Sequence, residues 1–176
     1  MIDDLFFDTD CLSSFIIVGR EDILLNVYEE HIKIPAQVDA ELFCNGMVKE
    51  RNIVNDLIAN GKIEVVVLER KSAEAKIYRK LTQDPDIGDK KIGSGEAAAI
   101  ALAYTYNGVL ASCNYRDIWR YIEKYNLKYT DVAETLYYAI EHHYITINEA
   151  ENVWAEMKRR KRRLPEGSFS DYLKRR

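Results

Sequence analysis

Short apolar runs alternate along the chain with longer segments in which apolar residues recur every three to four positions. Four such runs, residues 5–7, 32–34, 63–68 and 109–112, are bounded by polar or charged residues and predict short strands. The segments between them have the helical period, and the chain from residue 118 onward is predicted to be entirely helical. Short apolar strands that alternate with helices are typical of a parallel sheet covered on both faces. We therefore predict an α/β fold with a central, mostly parallel sheet between two layers of helices.

Capping signals predict where several helices begin. Pro35 suits the first turn of a helix that continues to residue 58. Ser94 is the predicted N-cap of an alanine-rich helix, which places Glu96 in its first turn. Asp131 and Thr146 each precede a Glu by three residues, which is the pattern of a capping box.

A chain of 176 residues is most simply one domain. We predict that residues 1–165 form this domain, with its core in about residues 1–125, C-terminal helices in 126–165 and a basic, flexible tail in 166–176. Residues 158–176 carry a net charge of +7, which leaves about −11 for the remainder of the chain. This asymmetry is compatible with a metal site beside an arm that holds phosphate, but charge alone fits a solvated helix end and a solubilising terminus better.

The composition argues against secreted and membrane classes. Cys11, Cys44 and Cys113 are far apart, which fits buried thiols in a reducing cytoplasm better than disulfides or a zinc site. No apolar run approaches 18 residues, so we expect no transmembrane helix. The acidic residues Asp3 and Asp4 near the N-terminus argue against a secretory signal. The expected location is the cytoplasm.

Four acidic residues occupy positions where a parallel sheet collects its ligands. Asp8 and Asp117 follow predicted strands, and Glu41 and Glu96 lie in early turns of predicted helices. Carboxylates that are brought together repel one another unless a cation compensates them. Oxygen ligands without His or Cys select Mg²⁺ or Mn²⁺, which activates water and neutralises charge on a phosphodiester. The four acids therefore predict a metal-dependent nuclease.

Each acid also has a structural interpretation. Asp10 fits a helix cap better than a metal ligand, with a helix expected to begin near Ser13. Glu96 is well placed to interact with a helix dipole. Asp117 fits a cap of the helix that follows it as well as it fits a metal ligand.

The same residues resemble the PIN-domain family. The first motif is FFDTDCL, with Asp8 as the first acid and Thr9 beside it, and the second is IPAQVDAEL, with Glu41. The third is GSGEAAAIALA, with Glu96, in the form typical of a subgroup with a G-x-G-E-A motif. The fourth is VLASCNYRD. The likeness spans about residues 5–120, and the helices that follow resemble the C-terminal extension of that subgroup.

The resemblance implies a three-layer α/β/α sandwich and an endoribonuclease that depends on Mg²⁺ or Mn²⁺. In many prokaryotic members it also implies the toxin role of a toxin–antitoxin pair, a cognate antitoxin that covers the acidic site, and a homodimer. The implied catalytic residues are Asp8, Glu41, Glu96 and Asp117. The expected metal ligands are Asp8, Glu96, Asp117 and Asn114. The expected RNA contacts are Thr9, Arg116, Lys158, Arg159 and Arg160.

One position departs from the family pattern. An Asp usually follows the fourth strand directly, where this chain has Asn114, and Asp117 comes three residues later. Either Asp117 supplies the fourth carboxylate or the site has three. The alternative function is a non-catalytic module with the same fold that binds RNA or a partner. A DNA-directed nuclease fits less well, because such PIN-like enzymes usually carry more acids and a helical arch.

Overall fold

A computed structural model of the chain describes residues 3–44 and 48–176, with residues 43 and 44 described by their backbone alone. In these residues five strands form one sheet in which every neighbouring pair is parallel. The strands are β1 (Leu5–Phe7), β2 (Ile32–Pro35), β3 (Glu64–Val66), β4 (Val109–Ala111) and β5 (Lys128–Thr130). Their order across the sheet is β3-β2-β1-β4-β5.

Helices connect the strands and continue beyond the last one. They are α1 (Thr9–Ile17), α2 (Glu21–Tyr28), α3 (Ala36–Cys44), α4 (Val48–Ala59), α5 (Ala73–Thr82), α6 (Ser94–Thr105), α7 (Tyr115–Tyr125), α8 (Val132–Glu141), α9 (Ile147–Arg159) and α10 (Phe169–Arg175), with a 3₁₀ turn at Glu29–His31. The helices cover both faces of the sheet, which confirms the predicted α/β/α sandwich.

The side chains of β1 show why both faces are covered. Leu5 and Phe7 belong to one apolar core, which they share with residues of α1, α2, α8 and α9. Phe6 belongs to a second core, formed with α5, α6 and α7. Because successive side chains of a strand point to opposite faces, a strand that is apolar at every position buries all of them only between two helical layers.

The order of the strands places a crevice beside β1. The chain passes from β1 to β2 and β3 on one side of the sheet, and then returns to β4 and β5 on the other side. In open parallel sheets, ligands bind beyond the carboxyl ends of the strands at such a reversal. The backbone N–H of Asp8 donates to the carbonyl oxygen of Ala111 at 2.9 Å, so the ends of β1 and β4 stay together.

The first helix begins earlier than the sequence predicts. It begins at Thr9 rather than near Ser13, because the Asp8 carboxylate accepts the backbone N–H of Cys11 at 2.7 Å and is the N-cap. The assignment of the cap to Asp10 is therefore wrong. A polar residue directly after a buried strand can cap a helix without any intervening loop.

Two later helix starts also differ from the prediction. Gly93 is the N-cap of α6, so Ser94 and Glu96 are the first and third residues of that helix. The hydroxyl of Ser94 pairs with the hydroxyl of Tyr78 at 2.8 Å and makes no cap hydrogen bond. Asn114, rather than Asp117, precedes α7.

The remaining predicted caps and helices agree more closely with the structure. Thr146 forms a complete capping box with Glu149, and Asp131 caps α8 through the backbone N–H of Glu134. The helix predicted from Pro35 to residue 58 corresponds to α3 and α4. Its residues 45–47 lie outside the described part of the chain.

The C-terminal third differs most from the prediction. Residues 128–130 form the edge strand β5 instead of helix. The flexible tail predicted for residues 166–176 is wrong, since α10 lies there and Phe169 is fully buried. The ring of Phe169 packs 5.5 Å from that of Trp154, and Ser168 forms a capping box that begins the helix.

Two predictions about the chemistry of the chain can be compared with the described residues. Cys11 and Cys113 are free thiols, the former buried and the latter half-buried, while the side chain of Cys44 lies outside the described residues. Within residues 3–44 and 48–176, no helix combines the length and apolar character needed to cross a membrane.

Candidate metal-binding active site

Asp8 is the most deeply buried acid of the crevice, at 1 % exposure. Its Oδ1 atom accepts the N–H of Cys11, whereas the buried Oδ2 atom has no hydrogen-bond partner among the described residues. Burial raises the pKa of the Asp8 carboxyl to about 7, against the lowering effects of the nearby Ser112 hydroxyl and the Cys11 N–H. The negative charge of Glu96 raises this pKa further.

Asn114 connects Glu96 with Asp117. Its Nδ2 atom donates to Oε1 of Glu96 at 2.5 Å and to Oδ2 of Asp117 at 2.8 Å. Burial raises the pKa of Glu96, and the charge of Asp117 adds to this effect, while the hydrogen bond from Asn114 opposes it. Asn114, the position at which this chain differs from the family pattern, thus supplies a hydrogen-bond donor between two acids.

Glu41 is held by two donors from different elements. Its Oε1 atom accepts the backbone N–H of Gly95 at 2.7 Å, and its Oε2 atom accepts the hydroxyl hydrogen of Thr9. A Cβ atom at Gly95 would lie only 2.7 Å from Oε2 of Glu41, so this glycine allows the carboxylate to approach α6. Glu41 therefore ties α3 to the first turns of α1 and α6.

These groups line one cleft of about 250 Å³ at the carboxyl end of the sheet. Its lining residues are Asp8, Thr9, Asp10, Glu41, Gly93, Glu96, Asn114 and Arg163. The structure thus brings together three of the four predicted catalytic acids. Asp117 is separated from Glu96 by the Asn114 amide, and it lines the two neighbouring clefts instead.

The donor atoms of the cleft determine whether it fits a divalent cation. In residues 3–44 and 48–176, no three His, Cys, Asp or Glu side chains are grouped as a metal site. Asp8 and Glu96 nevertheless supply two carboxylates to one cleft, and the buried Oδ2 of Asp8 has no partner. Mg²⁺ is usually bound through one or two carboxylates, with waters and substrate phosphates completing its shell. Asp8 and Glu96 therefore supply two carboxylates that fit a hydrated divalent cation.

A second cleft, of about 470 Å³, adjoins the carboxylates and carries positive charge. Glu96 and Asp117 form its acidic wall. Its basic residues are Lys90, Lys91, Arg116 and Arg120. Arg120 pairs with Asp89, whereas the side chains of the other three form no ion pair within the described part of the chain. This cleft is suited to the backbone of a polyanion that extends from the acidic site.

The predicted RNA contacts separate into two groups. Thr9 lines the acidic cleft, and Arg116 lines the basic one. The other three, Lys158, Arg159 and Arg160, line neither of these clefts. Lys158 donates to the carbonyl oxygen of Gly167, and both arginines pair with Glu156.

Three features of the site are missed by the sequence prediction. They are the contact of Gly95 with Glu41, the bridge made by Asn114, and the presence of Arg163 in the acidic cleft. The two glycines of the GSG segment are a sequence signal for the first feature, since glycine permits close approach. Nothing in the basic run distinguishes Arg163 from its neighbours before folding.

Comparison with known proteins identifies a family for the chain and a solved structure with a similar fold. A family model described as a PIN domain matches residues 5–176. Among solved structures, the chain is similar to VapBC-1 from nontypeable Haemophilus influenzae, with a TM-score of 0.52 and 19% sequence identity over 74% of this chain and 98% of that chain. At this identity the likeness shows a shared fold. No curated protein gives a significant match.

The family match covers nearly the whole chain, including the C-terminal helices. The residues of its first three motifs, Asp8, Glu41 and Glu96, line a single cleft at the end of a parallel sheet. The chain belongs to the PIN-domain family.

Proposed function

We propose that the protein is an endoribonuclease that depends on Mg²⁺ or Mn²⁺. PIN domains are typically nucleases, and they generally use divalent metals. The observation that carries the proposal is the buried Oδ2 atom of Asp8, which has no hydrogen-bond partner among the described residues and shares its cleft with Glu96. A bound cation would supply activation of water and compensation of charge on the phosphate.

The residues of the cleft have distinct proposed roles. Asp8 and Glu96 hold the cation, and the side-chain oxygen of Asn114 completes the protein ligands. Asp117 lies beyond the Asn114 amide and lines the neighbouring clefts. Glu41 is a positioning residue, because both of its carboxylate oxygens are engaged by Thr9 and Gly95. It fixes the walls of the cleft and adds negative charge beside the cation.

The basic cleft supports a polynucleotide as the substrate. Lys90, Lys91 and Arg116 lie beside Glu96, so a chain of phosphates can extend from the acidic site into positive potential. Arg116 therefore remains a proposed RNA contact. Lys158, Arg159 and Arg160 are not part of the proposal, because they line neither cleft.

We also propose that the protein is the toxin of a toxin–antitoxin pair in the cytoplasm. The resemblance of the sequence motifs to prokaryotic PIN toxins supports this role, and the likeness to VapBC-1 supports it at the level of the fold. The proposed partners are RNA, an antitoxin that covers the acidic cleft, and a second copy of the chain in a homodimer.

A second candidate function is a non-catalytic module that binds RNA or a protein partner. One observation favours it: the amide of Asn114 occupies the position of an expected acid and brings no charge to a cation. Such a module would bind RNA in a salt-sensitive manner without hydrolysing it.

Replacing Asp8 by Asn tests the proposed function. Asn also caps helices well, so α1 should remain intact while a charged ligand is lost. Changes around a metal ligand typically cost about 10- to 100-fold in metal affinity or activity, and loss of a ligand itself should cost at least about 100-fold. We expect the wild-type protein to cleave single-stranded RNA with Mg²⁺ or Mn²⁺ and not in EDTA, and the variant to be inactive. Expression of the wild type, but not of the variant, should arrest growth.

The matched control is Asp56→Asn, which removes an exposed acid of α4 that lines neither cleft. It should cleave at the wild-type rate, and DNA of the same sequence should be a poor substrate. Cleavage in EDTA, or full activity of the Asp8 variant, would contradict the proposal. RNA binding without cleavage by the wild type would instead support the second candidate.

A further inference from the structure

The segment that follows α9 returns over the acidic cleft. It is fixed at its far end, because Trp154 Nε1 and Lys158 Nζ donate to the carbonyl oxygen of Gly167 at 3.0 and 2.5 Å. Phe169, which begins α10, is fully buried. Residues 160–168 are therefore held between two packed helices.

Arg162 fixes the middle of this segment on α1. Its guanidinium donates to the Ser14 hydroxyl at 3.1 Å, the Ser13 hydroxyl at 2.8 Å and the Asp10 carbonyl oxygen at 3.1 Å. It also pairs with Oδ1 of Asp10 at 3.2 Å. The side chain is only 16% exposed. These contacts determine where the next residue of the chain lies.

Arg163 consequently lies in the acidic cleft together with Asp8, Glu96 and Asn114. Its side chain remains 59% exposed, and its ion pair with Asp10 is long, with 3.6 Å between Nη1 and Oδ2. A guanidinium has five N–H donors in a planar fork that matches phosphate oxygens. Most of these donors are therefore available to a ligand that enters the cleft.

The charge of the cleft indicates which ligand this is. The carboxylates would repel an anion that arrives alone, but they fit one that arrives beside a divalent cation. A phosphodiester has anionic oxygens that a cation and a guanidinium can contact at the same time. Arg163 is opposite in charge to such a ligand, and it shares the cleft with the proposed metal ligands.

We propose that Arg163 contacts the RNA phosphate that binds in the acidic cleft, and that Arg162 is the positioning residue that holds it there. This inference rests on the proposed function, and it names a substrate-binding group supplied by the C-terminal segment. Within the basic run, the structure assigns this role to Arg163 alone. The neighbouring Arg160 pairs with Glu156 and lines neither cleft.

The test compares Arg163→Ala with Arg160→Ala, which removes the same charge from the same run. Binding of a fluorescent single-stranded RNA is measured by anisotropy as a function of salt, with Ca²⁺ in place of Mg²⁺ so that the cation site stays intact while cleavage is suppressed. We expect Arg163→Ala to weaken binding at least about fivefold and to reduce the slope of log K against log salt by about 0.7, the value for one phosphate contact on a single strand. Arg160→Ala should leave the affinity within about twofold. Arg163→Lys should restore part of the loss, since it keeps the charge but not the fork.

A second readout uses the active protein. Single-turnover cleavage by Arg163→Ala should be at least about tenfold slower than that by Arg160→Ala, because each good charge-assisted contact contributes about 1.4 kcal/mol or more. Both variants should keep the wild-type unfolding midpoint, because both side chains are largely exposed.

Two results would overturn the inference. One is equal RNA affinity and salt slope for the two alanine variants. The other is faster cleavage, or tighter Mn²⁺ binding, by Arg163→Ala, because Arg163 would then be a counter-ion of the metal-free carboxylates. The binding readout is independent of turnover. A wild-type protein that fails to cleave RNA would therefore contradict the proposed function while leaving the Arg163 contact supported or refuted by affinity alone.

Discussion

Asn114 joins two acids at the edge of the acidic cleft. Its amide is placed between the carboxylates of Glu96 and Asp117 and donates to both. Without this donor, Glu96 and Asp117 would lose their shared hydrogen-bond partner. The charge of Asp117 already raises the pKa of Glu96, and the hydrogen bond from Asn114 opposes this effect. The amide therefore stabilises the two acids, and unlike an Asp at this position it adds no negative charge for the proposed cation.

Exchanging Asn114 for Asp should separate these two effects. The variant loses both hydrogen bonds and adds a third charge, so in EDTA we expect its free energy of unfolding to fall by about 1–3 kcal/mol. Mn²⁺ should restore more stability to the variant than to the wild type, because a cation compensates the added carboxylate. Urea unfolding with and without Mn²⁺ measures both quantities. Asn52→Asp, an exposed change on α4, should alter stability by less than about 0.5 kcal/mol. A deficit that saturating Mn²⁺ does not reduce would contradict this prediction.

Because Gly95 has no side chain, the first turn of α6 can pack directly on the carboxylate of Glu41. A Cβ atom there would lie 2.7 Å from Oε2 of Glu41 and 3.0 Å from the Thr9 hydroxyl, so Gly95→Ala must displace at least one of them. We expect a loss of about 1–3 kcal/mol in unfolding free energy. Cleavage should fall at least about tenfold, since small displacements in an active site are costly.

The control for this prediction is Gly93→Ala, two residues earlier in the same motif. There the nearest atom, Oε2 of Glu96, is 3.6 Å from the added Cβ, an ordinary contact. The change should cost less than about 1 kcal/mol, mainly through the N-cap position. Equal effects of the two variants on unfolding and cleavage would argue against the role assigned to Gly95.

Helix α1 shows how one element serves both fold and site. Asp8 is its N-cap through Oδ1, and the positive end of the helix dipole stabilises the ionised carboxylate. The second oxygen has no hydrogen-bond partner among the residues that the structure describes. The same residue thus begins the helix and presents an unpartnered buried oxygen. It lies beside Thr9, which holds Glu41.

Helix α10 is part of the packed structure, and its anchor can be tested. Phe169 is fully buried and packs on Trp154, so Phe169→Ala should reduce the free energy of unfolding by about 3–5 kcal/mol. Tyr144→Ala, which truncates an aromatic residue that is 44% exposed, should cost less than about 1 kcal/mol. Urea unfolding at 25 °C compares the two. A loss no larger for Phe169→Ala than for Tyr144→Ala would mean that α10 is frayed in solution.

The uneven charge of the chain is reorganised in the folded molecule. The acidic body places carboxylates at the carboxyl end of the sheet, and part of the basic run returns to the same place through Arg162 and Arg163. The other cations near the cleft, Lys90, Lys91 and Arg116, come from the loop before α6 and from the start of α7. Folding therefore places positive charge from three distant segments beside the carboxylates that we propose as metal ligands.

The stability of the metal-free protein should depend on pH through Asp8. Burial raises its pKa to about 7 in the folded chain, against an ordinary value of 3.8. Between these values the folded state keeps a proton that the unfolded state has lost, so stability must fall as the pH rises and then level off above about 7. The difference between the two pKa values corresponds to a loss on the order of 4 kcal/mol. Glu96 and Asp131, whose pKa values burial also raises, add to the same trend.

Urea unfolding in EDTA between about pH 4.5 and 8 measures this dependence. The Asp8→Asn variant lacks the titrating group, so its curve should be flatter, and it should be the more stable protein at pH 8. A wild-type curve parallel to that of the variant would show that Asp8 titrates normally in the folded chain.

The sequence is sufficient to predict the sheet class, strands β1 to β4 and the location of Asp8 and Glu96 at the carboxyl end of the sheet, because these depend on local patterns. Apolar runs identify buried strands, and a polar residue directly after such a run lies at the end of the sheet. Strand β5 is not predictable in this way, since Lys128–Thr130 is short, and only its pairing with β4 makes it a strand.

Long-range packing determines which residues that are distant in the sequence come into contact. Periodicity specifies the buried face of each helix, but it does not specify the partner of that face. For this reason the sequence does not specify which residue of the basic C-terminal run lies beside the acids at the carboxyl end of the sheet. Arg162 reaches Asp10 across 152 positions of the chain, and this contact, together with the burial of Phe169, places Arg163 in the acidic cleft. Local patterns thus determine the fold and the chemistry of the carboxylates, whereas long-range packing determines which basic side chain lies beside them.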